Sequence, residues 1–348
     1  MADRRKTQGK GQAVAVFGAS GHTGRFVVEE LQGRGFAPIA IARDGAKLAA
    51  AGFEARGVPV RTGAIDDPAS LDLCLAGAQS AINCAGPFLD TAEAVAAAAL
   101  RARIPYFDVT AEQASAQATY ARFDAAAREA GIVVVPAMGF YGGFGDLLAT
   151  AAMGDWERAD EIRLGIALDS WQPTPGTRNT GRRNAAQRLV IANGKLAPQE
   201  GIAAGASWDF PPPFGRQDVT DVPLSEVILI ARHLKVSALR TYISSAALGD
   251  LQDPSTPPPA PADGSGRSSQ IFLVHAIVRK GSETRRVTAR GRDIYAFTAP
   301  LVAEAVQRVL DGGVRARGAF APGELFDAED FLQALAPEHL MLEISKLR

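Results

Sequence analysis

A turn containing three glycines constrains the fold of this chain more than any other sequence feature. Gly18, Gly21 and Gly24 are spaced three residues apart, between an apolar segment at residues 13–17 and a helical pattern at residues 22–34. Gly18 permits a tight turn, Gly21 lets the backbone approach a pyrophosphate, and Gly24 lets the helix pack closely on the sheet. The helix N-terminus also offers N–H groups and a positive dipole end to phosphates. The turn therefore predicts a dinucleotide site.

Three side chains inside this turn can add hydrogen bonds to phosphate oxygens, those of Ser20, His22 and Thr23. The spacing is GxxGxxG, a variant of the GxGxxG fingerprint, so the motif alone leaves a purely structural turn as the alternative. Its place at a strand–helix junction within a repeated strand–helix pattern favours nucleotide binding.

Short apolar segments alternate with helical patterns up to residue 140, which predicts right-handed crossovers and a parallel sheet covered on both faces. Beyond that point the apolar segments are longer, and two of them flank a turn at residues 280–284, which predicts a mixed sheet. We therefore expect an α/β protein: a Rossmann doubly wound parallel sheet with an inserted α+β mixed-sheet second domain. The first part is predicted to hold strands at 13–17, 38–42, 58–61, 80–84, 106–109 and 132–135, and helices at 22–34, 46–51, 70–75, 91–103 and 115–131.

Four segments follow from this pattern. We expect a flexible tail at residues 1–12, a Rossmann domain at residues 13–140, a substrate and dimerisation domain at residues 141–290, and C-terminal helices at residues 291–348 that return to the first domain. Residues 253–269 are rich in Pro, Gly and Ser, so we expect a mobile loop there. An active-site lid and a plain insertion are both open interpretations of that loop.

The end of the second strand distinguishes NADP from NAD. An NAD site usually has an acidic residue there to hold the ribose 2′-hydroxyl. Here Arg43 stands at the strand end and Lys47 follows four residues later. An arginine can pair with a 2′-phosphate through its planar fork, and a lysine adds charge. We expect NADP(H), with Asp44 left as either a ribose contact or a helix cap.

The next strand ends supply further contacts to the cofactor. Asp66 follows the third strand. Its side chain can contact the adenine end of the cofactor or cap the next helix, and the sequence favours neither. Small residues follow the fourth strand and let the chain pass beneath the nicotinamide ribose; these are Cys84, Ala85, Gly86 and Pro87. Cys84 is expected to be a small buried thiol, because no setting that lowers a thiol pKa is visible.

The composition argues against several classes of function. A net charge of −1 does not favour nucleic acid or a membrane surface as a partner. The sequence has two cysteines and no metal-ligand spacing, so we expect no metal site. It has no apolar run of about 18 residues and no signal-peptide core, so we expect a cytoplasmic protein without a membrane segment.

Several segments together resemble one family, the saccharopine dehydrogenase-like NADP-binding oxidoreductases. The segments are VFGASGHTGRFVVEELQGRG, IARDGAKL, NCAGPF, YFDVTAE, VVPAMGF, GDLLA and ARGRDIYAFTA. The resemblance covers residues 13–150 well and residues 285–335 less closely. It implies an interrupted Rossmann domain, a second domain that contacts a small-molecule substrate, and a homodimer. The sequence departs from the family pattern at Ala111, where glycine is usual, and at residues 141–146.

Two residues are the candidates for catalysis. Glu112 lies beyond the fifth strand on the ligand side, and Tyr141 can donate a proton from a glycine-rich loop. The alternatives are a carboxylate at a helix start for Glu112 and simple packing for Tyr141. Tyr295 can line the cleft or pack between the domains, and residues 178–183 can bind an anion or form a solvated loop.

We therefore expect an NADPH-dependent oxidoreductase that transfers hydride to a C=N, C=C or C=O bond of an organic substrate. A non-catalytic NADP(H)-binding sensor or partner-binding protein is the alternative from a different class. A redox enzyme acting on carrier-bound or lipid substrates is a third.

Overall fold

The computed structural model describes residues 11–183, 185–201 and 205–346. Residues 1–10 of the predicted tail lie outside this range. The chain divides into two compact units, of which the first contains residues 1–139 and 298–320 and the second contains residues 140–297 and 321–348.

The first unit is built on a seven-stranded sheet whose pairings are all parallel, in the order β15-β6-β5-β4-β1-β2-β3. This contains the order 3-2-1-4-5-6 of a Rossmann sheet, which confirms the predicted fold class. The strands are β1 Ala13–Phe17, β2 Ala37–Ala42, β3 Val60–Thr62, β4 Ser80–Asn83, β5 Tyr106–Asp108, β6 Val133–Val135 and β15 Gly318–Ala319; the helices are α1 His22–Gly33, α2 Gly45–Ala50, α3 Pro68–Leu75, α4 Phe88–Ala102 and α5 Gln113–Ala130.

Burial explains why these short segments form strands. Every residue of β4, β5 and β6 is buried, including the polar Ser80, Asn83 and Asp108, as expected for strands covered by helices on both faces. The helix ends follow local signals: α5 ends at Gly131 in the left-handed conformation (φ 76°). At the end of α1, Arg34 Nη1 donates to Glu304 Oε2 at 2.6 Å, which ties α1 to the later segment, residues 298–320, that belongs to the same unit.

The second unit is built on a mixed sheet, again as predicted. Its main path runs β10-β11-β12-β7-β13-β14-β16, and β8 and β9 extend it from β12. Trp208, Phe210, Val219 and Leu273 form a buried cluster on this sheet. The strands are β7 Ala159–Leu168, β8 Leu189–Ala192, β9 Lys195–Pro198, β10 Ala206–Phe210, β11 Gly215–Asp221, β12 Val236–Ser244, β13 Ile271–Lys280, β14 Glu283–Arg292 and β16 Leu340–Lys346; the helices are α6 Gly145–Met153, α7 Pro175–Arg183, α8 Ser225–His233, α9 Ser245–Gln252, α11 Pro322–Leu325 and α12 Ala328–Leu335.

The C-terminal segment differs from the prediction for residues 291–348. The helix α10, Ile294–Leu310, contains the boundary between the units, and residues 321–348 belong to the second unit rather than returning to the first. Residues Leu340–Lys346 are not helical but form β16, which pairs antiparallel with β14. The backbone groups at the edge of β14 are available for pairing, and this pairing rather than local propensity makes the segment a strand.

Within the described residues, no helix is both long enough and apolar enough to span a membrane.

Candidate functional site

The glycine turn adopts the close packing that its sequence predicts. Gly18 has φ +82°, and a Cβ atom there would lie 2.7 Å from the backbone nitrogen of Ala85. A Cβ atom on Gly24 would lie 2.2 Å from the carbonyl oxygen of Gly18. Both distances are shorter than any side chain tolerates, so the turn requires glycine at these positions.

The helix α1 begins directly after this turn. Its N-cap is Gly21, which has no side chain to accept hydrogen bonds from the first turn of the helix. Ser20, His22 and Thr23 are half-buried around it, and the His22 ring packs edge-on against Phe26 at 5.3 Å. The N–H groups at the start of α1 therefore donate no hydrogen bond to a side chain of the N-cap residue.

The end of β2 lies against the same turn. The backbone N–H groups of Gly18 and Ala19 both donate to the carbonyl oxygen of Ile41, at 2.8 and 3.0 Å. Arg43 follows two residues later with an exposed side chain, and Lys47 is exposed as well. Both cations are therefore open to solvent next to the turn.

Two aspartates cap helices at this edge of the sheet. Asp44 accepts from the backbone N–H of Lys47 at 3.2 Å and so caps α2. After β3 the cap of α3 is Asp67, which accepts from the N–H of Ser70 at 3.1 Å. Asp66 is exposed, and its predicted contact to the adenine end stays a prediction.

The loop after β4 is held at several points. The N–H of Cys84 donates to the carbonyl oxygen of Phe17 in β1 at 2.8 Å, and the carbonyl oxygen of Ala85 accepts from the Thr91 hydroxyl at 2.6 Å. Gly86 is exposed and Pro87 half-buried. Burial, with a contribution from the nearby Asp108 carboxylate, raises the pKa of the Cys84 thiol to about 12, so it is not a nucleophile at neutral pH.

Glu112 caps a helix other than the one it precedes. It is 1% exposed, and its two carboxylate oxygens accept the backbone N–H groups of Phe88 at 2.7 Å and Leu89 at 3.4 Å. These amides begin α4, whereas Glu112 itself stands just before α5. Burial raises the pKa of Glu112 despite these hydrogen bonds. The sequence left a carboxylate at the start of the following helix as the alternative for this residue; in the structure the side chain makes no cap hydrogen bond to α5 and instead caps α4.

A buried polar network that the sequence analysis did not identify lies beneath the strand ends. The Asp108 carboxylate accepts from the N–H groups of Thr110 at 3.0 Å and Ala137 at 2.8 Å, and from the Tyr106 hydroxyl at 3.0 Å. Burial raises the pKa of Asp108 to about 6, although these hydrogen bonds favour its ionised form. Polar residues at the last positions of β4 and β5, Asn83 and Asp108, were the signal that could have revealed it.

In the second unit, Tyr141 has a buried phenol. Its ring stacks on Trp171 at 5.0 Å, and its hydroxyl has no hydrogen-bond partner among the described residues. Burial, followed by the charges of Tyr295 and Glu226, raises the pKa of Tyr141 well above its usual range. A buried hydroxyl without a partner is costly and calls for a functional explanation.

Two other candidates of the second unit have structural partners. The Tyr295 hydroxyl accepts from Trp171 Nε1 at 3.1 Å and shares a hydrogen bond with Thr177 at 3.0 Å. Residues 178–183 belong to α7 rather than to a loop, and Arg178 donates to the carbonyl oxygens of Asp253 and Thr256. This arginine secures the start of the 253–269 segment.

Two histidines of the second unit have pKa values shifted in opposite directions. His233 Nε2 lies 2.7 Å from Asp146 Oδ1; burial lowers its pKa, but the carboxylate outweighs this and the pKa is raised. His275 accepts from Trp208 Nε1 at 3.3 Å, and burial with two nearby arginines lowers its pKa to about 4. Neither lies in a cluster of three or more metal-ligating side chains, of which the described residues contain none.

Comparisons with known proteins agree with this architecture. The sequence model of the NmrA-like family matches residues 10–120, less than half of the chain. No curated protein sequence matches significantly.

Among solved structures, apo saccharopine dehydrogenase (L-Glu forming) from Saccharomyces cerevisiae superposes with a TM-score of 0.68 at 13% identity, covering 96% of this chain and 100% of that chain. GenD2 from gentamicin A biosynthesis, solved in complex with NAD, covers 99% of this chain and 100% of that chain at 13% identity, with a TM-score of 0.46. The chain therefore has the fold of saccharopine dehydrogenase: a Rossmann sheet joined to a mixed-sheet second unit.

Proposed function

We propose that this protein is an NADPH-dependent oxidoreductase that transfers hydride to a C=N, C=C or C=O bond of a small organic substrate. The observation that carries the proposal is the glycine turn, where Gly18 and Gly24 leave no room for a Cβ atom. Such a cradle, at the N-terminus of α1 and between the ends of β1 and β4, fits the pyrophosphate of a dinucleotide.

The preference for NADPH rests on the charges next to this cradle. Arg43 and Lys47 are exposed at the end of β2, whose Ile41 carbonyl is hydrogen-bonded to the turn. The only acidic side chain between these two cations, that of Asp44, caps α2 through Lys47 N. Arg43 is exposed, and the Lys47 ammonium group lies 3.8 Å from the Asp44 carboxylate, so a 2′-phosphate would meet an excess of positive charge at this position.

The test is a titration of the purified protein with NADPH and with NADH, by calorimetry or fluorescence. For wild type we expect tighter binding of NADPH, and for Arg43→Ala a loss of NADPH affinity of about tenfold or more, which corresponds to about 1.4 kcal/mol. Affinity for NADH should change little. The matched control is Arg315→Ala, which removes an exposed arginine from the segment before β15, at the opposite edge of the same sheet.

Equal affinity for the two cofactors, or the same loss in both arginine variants, would refute the NADP assignment. Failure of wild type to bind either cofactor would refute the dinucleotide site itself.

We propose Tyr141 as the proton donor to the reduced substrate. The cofactor, when bound, supplies the hydride. The chain supplies a phenol that is held by the Trp171 stack and whose hydroxyl has no partner among the described residues. Its raised pKa keeps the proton on the oxygen until a substrate atom accepts it. Tyr141→Phe should lower the rate of NADPH oxidation at least a hundredfold while leaving the NADPH affinity unchanged.

A non-catalytic NADP(H)-binding protein is the second candidate, and one observation favours it. Glu112, the other expected catalytic group, has both carboxylate oxygens engaged by backbone N–H groups. Tight NADPH binding without turnover over a panel of imines, enones and carbonyl compounds would support this candidate against the enzyme.

We further propose a homodimer, as the resemblance implies, and a cytoplasmic location, as expected from the sequence. Light scattering of the purified protein at micromolar concentration tests the oligomeric state, and a monomer would refute it.

A further inference from the structure

A continuous chain of side-chain hydrogen bonds connects the ends of β5 and β4. The Tyr106 hydroxyl donates to Asp108 Oδ2 at 3.0 Å and accepts from Asn83 Nδ2 at 3.5 Å. The same amide group donates to the Thr91 hydroxyl at 3.1 Å, and that hydroxyl donates to the carbonyl oxygen of Ala85 at 2.6 Å. The four side chains are buried, with exposed fractions of 0 to 7%.

The ionised carboxylate at one end sets the direction of every hydrogen bond in this chain. Asp108 accepts only, so the Tyr106 proton points toward it and the phenol oxygen is free to accept from Asn83. Asn83 then uses both N–H groups as donors and its Oδ1 as the acceptor from Ala85 N at 3.0 Å. Thr91 has its single proton left for the Ala85 carbonyl. Both backbone polar groups of Ala85 are thus fixed by the network.

Ala85 is the residue against which the glycine turn packs. The Cβ position of Gly18 would lie 2.7 Å from Ala85 N and 2.9 Å from its Cα atom. Gly18 follows β1 and Ala85 follows β4, and the sheet order places the topological switch point between these two strands. A dinucleotide crosses a doubly wound sheet there, with its pyrophosphate and its second ribose over this junction.

We infer that Asp108, Tyr106, Asn83 and Thr91 form a positioning network that fixes the Ala85 backbone for the nicotinamide half of the cofactor. This inference rests on the proposed dinucleotide site and deepens it. The network touches no reacting atom and acts only through the main chain of the loop after β4. The adenosine half depends instead on the end of β2, and none of the hydrogen bonds of this network involves a residue of β2.

The experiment compares two ligands at pH 8, NADPH and adenosine 2′,5′-bisphosphate. The second ligand carries the adenosine half and lacks the nicotinamide nucleotide. Thr91→Val and Tyr106→Phe each remove one hydroxyl and keep the side-chain shape. Each should weaken NADPH binding about tenfold, the effect of about one buried hydrogen bond, and leave the bisphosphate affinity unchanged. Because both act through one chain, the double variant should lose little more than either single variant.

The matched control is Thr119→Val. Thr119 is also buried, and its hydroxyl also donates to a backbone carbonyl, that of Ser115 at 3.0 Å, but it lies on α5 outside the network. The control should bind both ligands as wild type does.

Each other outcome overturns a different statement. Equal losses for both ligands, or unchanged NADPH affinity in both single variants, would refute the positioning role while leaving the dinucleotide site intact. Additive losses in the double variant would refute the coupling of the two hydroxyls. Wild type that binds neither ligand would refute the dinucleotide site and this role with it. A variant that fails to fold is recognised by its circular dichroism spectrum and not by its ligand affinities, and Asp108→Asn then replaces it in the same comparison.

Discussion

Removing the Glu112 carboxylate should destabilise the first unit, because this side chain caps α4 from a distant point in the sequence. Glu112→Ala leaves the N–H groups of Phe88 and Leu89 without their acceptor. Phe88 is 8% exposed, so water cannot fully replace the carboxylate there. The variant also removes a negative charge from the positive end of the α4 dipole.

The magnitude follows from the two distances. A hydrogen bond to a charged group contributes about 1.5–3 kcal/mol, which applies in full to the Phe88 contact at 2.7 Å. The Leu89 contact at 3.4 Å and the dipole each add less than about 1 kcal/mol. We expect a loss of about 2–4 kcal/mol in the free energy of unfolding. Glu112→Gln keeps one acceptor oxygen and should lose about 1–2 kcal/mol.

Urea unfolding followed by circular dichroism measures this loss, and Glu93→Ala is the matched control. Glu93 is a carboxylate on α4 that is 63% exposed and pairs with Arg122, so its removal should cost under about 0.5 kcal/mol. A stable Glu112→Ala protein with abolished turnover would refute the structural role and restore Glu112 as a catalytic group.

Three further predictions concern the turn and the histidines. Gly24→Ala should lower NADPH affinity at least tenfold in a calorimetric titration, because its Cβ atom would meet a carbonyl oxygen at 2.2 Å; Gly33→Ala, with open space around it on the same helix, should bind normally. The pKa of His275 is lowered to about 4, so the unfolded chain binds a proton at this residue more readily than the folded protein does. The free energy of unfolding should therefore fall by up to about 3 kcal/mol as pH falls from 6.5 through about 4. In His275→Gln, the urea midpoint should depend less on pH over that range. The pKa of His233 is raised, so its pairing with Asp146 should contribute its full stabilisation to the fold below pH 6.5. This contribution should disappear as pH rises through the pKa of the folded protein. A His233→Gln protein whose free energy of unfolding keeps the wild-type pH dependence above pH 6.5 would contradict this.

The sequence predicted the parallel sheet well and the C-terminal part poorly, for a physical reason. Continuous apolar runs such as residues 132–135 indicate strands covered on both faces whatever their partners are. Residues 340–344 carry an apolar pattern that a helix or a strand can satisfy, and the pairing of Met341 with Arg290 and Glu343 with Thr288 decides for a strand. Such pairing depends on which edge is open, which local periodicity does not report.

The candidate site divides in the same way. Glycine spacing and the position of Arg43 after a strand are local features, so the sequence determined the turn, the edge of the sheet and the charge next to it. Only the tertiary structure showed that Glu112 caps a helix that begins 24 residues earlier, and that Asp108 connects to Ala85 through three side chains. A buried polar group must form a hydrogen bond, because leaving it unpaired is costly. The group it pairs with depends on which strands are neighbours in the sheet, and this can be a residue far away in the sequence.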